Sequence, residues 1–400
     1  MNAARLGRAR NVDDVRAAAR SRLPRAVFDF VDGGADDEEA LRANRRQFEA
    51  YALSTRVAVG AAARDQSRRL FGRTFASPFG IGPTGLAGLV WPGAELHLMR
   101  AAEAFDVPFT LSTVSSVGIE EIGAAAGRPH WFQLYIFRDR AISHRLVERA
   151  AAAGFETLVV TLDCPVGGNR ERDLRNRFTL PYRPSPAGIL DAARRFSWLM
   201  QMLRHGAPQP RNMMEAARRS GAQTLLAFME GQLDPGVTWE DVREVRRRWN
   251  GPLVVKGILS PADVRQALDA GADGIVVSNH GGRQLGAAVP PMVALPRILA
   301  AAGGRLTVLC DSGFRRGTDI LKALALGADG VLMGRPTLYG VAAAGEAGAR
   351  HVLDLLRREV DRGMALLGCP TLADLAGDRI VAHAPAERGR EAQPVAGPGY

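Results

Sequence analysis

The sequence predicts an α/β fold, a closed (β/α)8 TIM barrel with a helical N-terminal cover and a long insertion after the fourth strand. Three observations predict it. Eight short apolar runs rich in β-branched residues recur along the 400-residue chain. Stretches of helical periodicity separate most of them, and one helix–turn–strand unit occurs twice.

The runs are Phe79–Pro83, Pro108–Ser112, Trp131–Tyr135, Thr157–Leu162, Leu253–Lys256, Gly274–Ser278, Leu306–Cys310 and Gly330–Met333. Amphipathic helices such as Pro261–Ala270 lie between them, so the strands pair in parallel and eight units close into a barrel. The repeated unit is ALDAGADGIVVSNHGG, from Ala267, and ALALGADGVLMGRP, from Ala323. A doubly wound open sheet also alternates strands and helices. However, the GxGxxG pattern at the first strand, Gly80–Gly85, begins inside the run and contains Pro83 rather than following the strand, which argues against a dinucleotide-binding sheet. The charge-free stretch Thr74–Ala94 is long enough to cross a bilayer, but Pro78, Pro83, Pro92 and five glycines suit a strand and its loop.

Residues 1–381 are expected to form one barrel domain. Within it, 1–78 form a helical and irregular cover, and 165–236 an insertion on the side where barrel active sites sit. The Pro/Gly-rich tail 382–400 is expected to be disordered. The N-terminus is charged and has no apolar core segment, so no signal peptide is expected and the chain reads as cytoplasmic. Cys164, Cys310 and Cys369 are odd in number and far apart, matching neither a disulfide framework nor a zinc site. No metal is expected. The net charge of +10 is spread among mixed acidic and basic residues, so it is not a nucleic-acid signature. Lys256 and Lys322 are the only lysines among 52 lysine and arginine residues. A lysine retained against that bias raises the question of where a compact ammonium is needed.

Reactive groups of a barrel gather at the carboxyl ends of its strands. Those positions hold Pro83, Thr84, Gly85, Ser112, Gln133, Tyr135, Thr161, Asp163, Lys256, Ser278, His280, Asp311, Gly334 and Arg335. The last two strands end in DSGFRRG (Asp311–Gly317) and MGRP (Met333–Pro336). Glycines there let backbone amides approach a phosphate, and Arg315 or Arg335 can grip it bidentately. The alternative is two ordinary tight turns with surface arginines. In Ser278–Gln284, His280 can serve as a base near neutral pH, and Arg283 can clamp a carboxylate. His97, His130, His144, His205, His351 and His383 read as structural, and Lys322, inside a helix, as a surface residue.

The heptapeptide SNHGGRQ resembles the active-site signature of the FMN-dependent 2-hydroxy-acid dehydrogenases and oxidases, the glycolate oxidase-like family. GPTGL, LST, WFQLY, TLDCPVGGNRERDLRNRF, LVVKG, DSGFRRGTDILKALALGAD and MGR extend the resemblance over roughly residues 20–380. GPTGLAGLVWPG and RERDLRNRF are most similar to the mandelate dehydrogenases; flavin-type L-lactate dehydrogenases are also similar. The resemblance implies FMN as cofactor and a small 2-hydroxy acid as substrate. It implies His280 as base, Asp163 as its carboxylate partner, Arg170 and Arg283 on the substrate carboxylate, and Tyr135 on the substrate oxygen. Lys256 would stand by flavin N1 and O2. Pro83, Thr84, Gly85, Ser112, Gln133, Thr161 and Ser278 would line the flavin. Asp311, Ser312, Gly313 and Arg315, with Gly334 and Arg335, would hold the ribityl phosphate. A quinone-type electron acceptor and a homo-oligomer, a tetramer, are implied in the same way.

Two positions depart from the family. Phe30 stands where a substrate-binding tyrosine is usual, and Gly286 where an aspartate is usual, which is expected to loosen the loop behind Arg283. In the insertion, Ile189, Ala192, Ala193, Phe196, Leu199, Met200 and Leu203 share one helical face. Arg194, Arg195 and Arg204 lie off that face, and Trp198 flanks it. A basic amphipathic segment of this kind, spanning 181–221, can lie peripherally on the inner face of a membrane; alternatively the face packs on the barrel. An oxidase using O2, and a non-redox phosphate-binding isomerase or lyase, are the competing activities.

Overall fold

The structure is a computed structural model that describes residues 6–178, 185–220, 225–375 and 378–382. The tail from 383 onward lies outside the described residues. All eight expected strands form: β1 (Phe79–Ile81), β2 (Thr110–Ser112), β3 (Trp131–Tyr135), β4 (Thr157–Thr161), β5 (Leu253–Ile258), β6 (Gly274–Val277), β7 (Thr307–Cys310) and β8 (Gly330–Met333). They pair in parallel in the order β1-β8-β7-β6-β5-β4-β3-β2. A single parallel bridge between Ile81 and Phe109 completes the ring. That seam is close because Gly80 lacks a side chain: a Cβ there would lie 2.8 Å from the Pro108 ring and 2.9 Å from its carbonyl.

The strands are almost continuously apolar because both faces are buried. Val159, Val254, Val276, Leu309 and Leu332 fill the interior together with Trp131. The antiparallel hairpin Arg68–Leu70 and Arg73–Phe75 closes this inner cluster, adding Leu70 and Phe75 to it, with Phe71 packed alongside. The outer faces pack under helices. The two copies of the repeated unit perform one task twice. Asp273 Oδ2 accepts from Leu253 N at 2.8 Å, and Asp329 Oδ2 accepts from Val308 N at 2.9 Å. Each carboxylate fastens the start of the neighbouring strand. Strand register then sets the rim: Ser112 lies beside Gln133, and Tyr135, Thr161 and Lys256 form one row.

The N-terminal cover contains helices Val12–Arg22, Arg25–Asp32 and Glu39–Arg46. Arg16 pairs bidentately with Asp32 at 2.6 and 2.7 Å, and Tyr339 Oη donates to the same carboxylate at 2.7 Å. This ties the cover to the last helical stretch, Arg335–Leu367, which is kinked at Ala344 and Gly345. Lys322 is not a surface residue. Its half-buried Nζ donates to the Phe48 carbonyl at 2.8 Å, because the cover folds back over the helix that carries it.

The insertion departs from the single amphipathic helix expected for it. Helices Pro186–Arg194 and Phe196–His205 are separated at Arg195, whose φ of −104° and ψ of 52° are not helical. The expected face is therefore divided. Ala192 is buried and Leu199 packs on the core, whereas Ile189, Phe196 and Leu203 face outward. Trp198 does not flank an exposed face. It is buried, and its indole N–H donates to the Leu89 carbonyl at 2.8 Å. Farther along, Asn212 is buried against Thr113, Ser115 and Ile119.

Candidate active site

The loop after β6 takes an uncommon path. His280, Gly281 and Gly282 all adopt left-handed backbone, with φ of 57°, 68° and 71°. Glycines do so freely, but a histidine pays steric strain, which persists where the surroundings enforce it. Here Asn279 enforces it. Its side chain exchanges two hydrogen bonds with Asn44 of the cover, at 2.8 and 2.7 Å, and its Oδ1 accepts from Gly282 N at 3.1 Å. The result aims the His280 ring at Asp163, with Nδ1 2.8 Å from Oδ1.

Asp163 follows β4, and its other oxygen lies 3.6 Å from Lys256 Nζ. Lys256 donates to Ser278 Oγ at 2.8 Å and stands 3.4 Å from Asp311 Oδ2. Burial alone would raise the Asp163 pKa, but the charges of Lys256 and His280 outweigh it and hold the carboxyl well below its usual range. Burial likewise acts to discharge Lys256, and the Asp163 and Asp311 carboxylates reverse this, so the ammonium is held firmly protonated. Burial pushes the Tyr135 hydroxyl well above its usual value, with Cys164 and Asp163 adding to the shift. The phenol therefore stays a proton-bearing donor.

Arg283 is half-buried, and loss of solvent together with Arg170 and Arg335 pulls its pKa down to about 9. Its Nη1 donates to the Phe30 and Gly33 carbonyls at 2.8 and 3.1 Å. Three crowded guanidiniums favour an anion among them. The Phe30 ring lies between the two forward arginines, 5.6 Å from Arg170 and 5.4 Å from Arg283, and stacks on Phe178 at 4.7 Å. These groups line one cavity of about 780 Å³. Except Ser278 and Asp163, every residue expected in the site borders it directly. Ser278 and Asp163 touch it through Lys256 and His280.

The profile of the FMN-dependent dehydrogenases matches residues 19–382. The chain belongs to that family. It is 43% identical over 370 residues to the (S)-mandelate dehydrogenase of Pseudomonas putida, covering 92% of this chain and 93% of that one. It is equally identical, over 370 residues, to an L-lactate dehydrogenase of Pseudomonas aeruginosa strain LESB58, covering 92% and 97%. Among solved structures, a monotopic membrane protein (S)-mandelate dehydrogenase superposes with a TM-score of 0.90 at 41% identity, covering 94% of this chain and all of that one. A mandelate oxidase superposes with a TM-score of 0.79 at 40% identity, covering 93% and 98%. Family membership sets aside the isomerase or lyase alternative and names FMN as the cofactor.

The residues of this FMN-dependent dehydrogenase fit that cofactor. Gln133 Nε2 and Thr161 Oγ1 are buried, face the cavity and have no protein partner, while Gln133 Oε1 is taken by Ser112 and Thr113. With the Lys256 ammonium they offer the hydrogen-bonding set that the polar edge of a flavin ring requires. The loop after β7, where the residues present could hold a phosphate, is fixed locally: Ser312 Oγ bridges Asp311 Oδ1 at 2.8 Å and Gly281 N at 3.0 Å, and Gly313 has φ of 91°. Arg315 gives one N–H to its own neighbour Phe314 at 2.8 Å. Arg335 spends three N–H groups on the carbonyls of Val31, Gly33 and Gly281, stapling the cover to the β6 loop.

Gly286 does not loosen the loop behind Arg283. Its N–H donates to Asp36 Oδ2 at 3.0 Å, its carbonyl accepts from Ala40 N at 2.7 Å, and a Cβ there would collide with the Asp36 carboxylate. Asp36 of the cover fills the space that a side chain at 286 would need. Residues not singled out in the sequence also border the cavity, among them Cys164, Asp173 and Phe178. Cys164 directly follows Asp163 at a strand end, and that adjacency was the available signal.

Proposed function

We propose that this chain oxidises a small L-2-hydroxy acid of the mandelate or lactate type to its 2-keto acid. The observation that carries the reading is the 2.8 Å contact of His280 Nδ1 with a firmly ionised Asp163, in a cavity that also holds Arg170 and Arg283. Oxidation of an alcohol to a ketone releases two electrons and two protons. Bound FMN would accept the electron pair together with the second proton. His280 takes one proton at Nε2, since Nδ1 is committed to Asp163, and the Asp163 charge stabilises the imidazolium. Arg170 and Arg283 orient the substrate by its carboxylate, a bidentate task suited to guanidinium, and the Tyr135 hydroxyl meets the substrate oxygen. Phe30, Phe178 and Leu174 bound the side of the cavity that takes the substrate's apolar group.

The electrons pass on to a quinone-type acceptor at a membrane. The support is the outer face of the insertion: Ile189 and Leu190 are each 58% exposed and Phe196 and Leu203 each 69%, with Arg194 and Arg204 alongside. Exposed apolar side chains ringed by cations suit a peripheral seat on anionic lipid. Among the described residues no helix is long and apolar enough to cross a membrane. A homo-oligomer, a tetramer, completes the assembly. The likeness to a mandelate oxidase favours a second reading, with O2 as acceptor and peroxide as product.

Anaerobic mixing of the flavin-loaded protein with mandelate, lactate and glycolate tests the proposal. One of them is expected to bleach the flavin, and admission of air is expected to release little peroxide. Absence of bleaching by every 2-hydroxy acid tried rules out the reading, and stoichiometric peroxide replaces dehydrogenase with oxidase.

A further inference from the structure

The base and its carboxylate share their stretch of cavity wall with a thiol. Cys164 Sγ lies 3.3 Å from His280 Nδ1, 3.9 Å from Nε2 and 3.5 Å from Asp163 Oδ1. Among the described residues this is the one grouping of three histidine, cysteine or acidic side chains whose ligand atoms all come within 4.8 Å of one another. Cys164 and His280 are 116 residues apart in the chain, so only the closed barrel brings the three together.

Zinc binds sulfur at about 2.3 Å and nitrogen or oxygen at about 2.0–2.2 Å, so a tetrahedral centre sets its ligand atoms about 3.3–3.6 Å apart. The two distances to sulfur already lie in that range. The third, 2.8 Å between Nδ1 and Oδ1, is a hydrogen bond that opens once its proton leaves. All three residues are half-buried rather than sealed, and Cys164 and His280 border the cavity, so a fourth position stays open to a water ligand. We propose that Asp163, Cys164 and His280 form an inhibitory site for a soft divalent cation of the zinc class. The thiolate selects the ion: magnesium and calcium prefer oxygen ligands and gain little from sulfur.

Two features limit the affinity. The thiol faces Asp163, Lys256, Tyr135 and His280, and burial, with the Asp163 charge adding to it, holds its proton well above the ordinary range, so zinc must displace it. The Lys256 ammonium, 3.6 Å from Asp163, repels a second cation. The same shift makes Cys164 a poor nucleophile when no metal is bound. Binding rests on this geometry alone. Inhibition rests in addition on His280 being the base.

The test uses the FMN-loaded protein, as wild type and as Cys164→Ala, a change at the cavity border that leaves no sealed void. Equilibrium dialysis against zinc chloride measures binding, and stopped-flow flavin reduction by the best hydroxy acid measures inhibition. The wild type is expected to retain one zinc per chain more than the variant and to lose activity that EDTA restores. Measured against its own metal-free rate, Cys164→Ala is expected to need at least about tenfold more zinc for half-inhibition, the scale on which lost metal-site interactions count. Magnesium is expected to leave both proteins unaffected. Equal zinc retention or equal zinc sensitivity in the two proteins overturns the site. Zinc retained at Cys164 with flavin reduction unimpaired overturns the inhibition, and with it the assignment of His280 as base. Should Cys164→Ala be inactive, the dialysis comparison still decides the binding.

Discussion

The rim of the barrel and the outer face of the insertion invert the usual rules in opposite directions. At the rim, Lys256, Asp163, Asp311 and Arg283 bring charge into a low-dielectric interior, each beside a partner or a cavity. On the insertion, Ile189, Leu190, Phe196 and Leu203 leave apolar surface in the open. Neither arrangement helps a chain fold on its own. Both are expected where a surface is shaped for something else, an anionic substrate and cofactor in one case and a lipid interface in the other. The comparison therefore separates chemistry from location, and each half can be disturbed without the other.

The largest effect is expected at the rim. His280→Ala removes the base while leaving a Cβ on the same left-handed backbone, and flavin reduction is expected to fall about 10²–10⁴-fold. FMN absorbance and sedimentation with anionic vesicles are expected to remain as in the wild type. Wild-type bleaching by this variant moves the base elsewhere, and lost vesicle binding couples the two regions.

The matching change on the insertion is Phe196→Glu combined with Leu203→Glu. Each side chain contributes about 1.5–3 kcal/mol when removed from water, so vesicle binding is expected to weaken by two orders of magnitude or more, with flavin reduction unchanged. Point substitutions are preferable to excising 181–221, because excision would remove Trp198 and Asn212 from their partners in the barrel. Unchanged vesicle binding shows that the exposed face is not the membrane seat.

A smaller effect lies at Asp32, the buried carboxylate that Arg16 pairs with and Tyr339 links to the last helical stretch. Burial raises the Asp32 pKa, but hydrogen bonds from Arg16 and Tyr339 and the charges of Arg16 and Arg335 bring it from 3.8 down to about 2. A carboxyl depressed in the folded state stabilises above its unfolded pKa. That contribution, about 2 kcal/mol, is lost as pH falls from about 4 to about 2. Asp32→Asn is expected to lower the melting temperature at neutral pH and to flatten the acid limb of the stability profile. An unchanged acid limb places the acid sensitivity in other carboxyls.

The smallest effect concerns Phe30. A hydroxyl added by Phe30→Tyr can donate to the substrate carboxylate. Such a bond is worth at most about 1.5–3 kcal/mol, and several-fold in apparent KM is expected, with little change in kcat. Loss of activity on the best substrate shows instead that the Phe30–Phe178 stack is part of a pocket fitted to a bulkier group.

The barrel was legible because the strands bury both faces and so appear as apolar runs, while the repeated GAD units report their own helix–turn–strand shape. The site was legible because SNHGGRQ concentrates its groups in one loop. What escaped the sequence depends on long-range contacts. Trp198 turns inward to reach a carbonyl at Leu89, which breaks the expected helix at Arg195. Lys322 is engaged by Phe48, and Cys164 meets His280 only after the barrel closes. Local periodicity contains none of these pairings, because each joins segments more than a hundred residues apart.

The partnership of Asp36 and Gly286 has a further consequence. An acid restored at 286 by itself meets a second carboxylate already in place, so the single substitution passes through a clash with like-charge repulsion, whereas shortening residue 36 first opens the way. The two positions form an ordered path with one viable sequence of steps. A library that varies 286 while holding 36 fixed is expected to return glycine alone, and one that varies both is expected to recover the acid at either position but not at both.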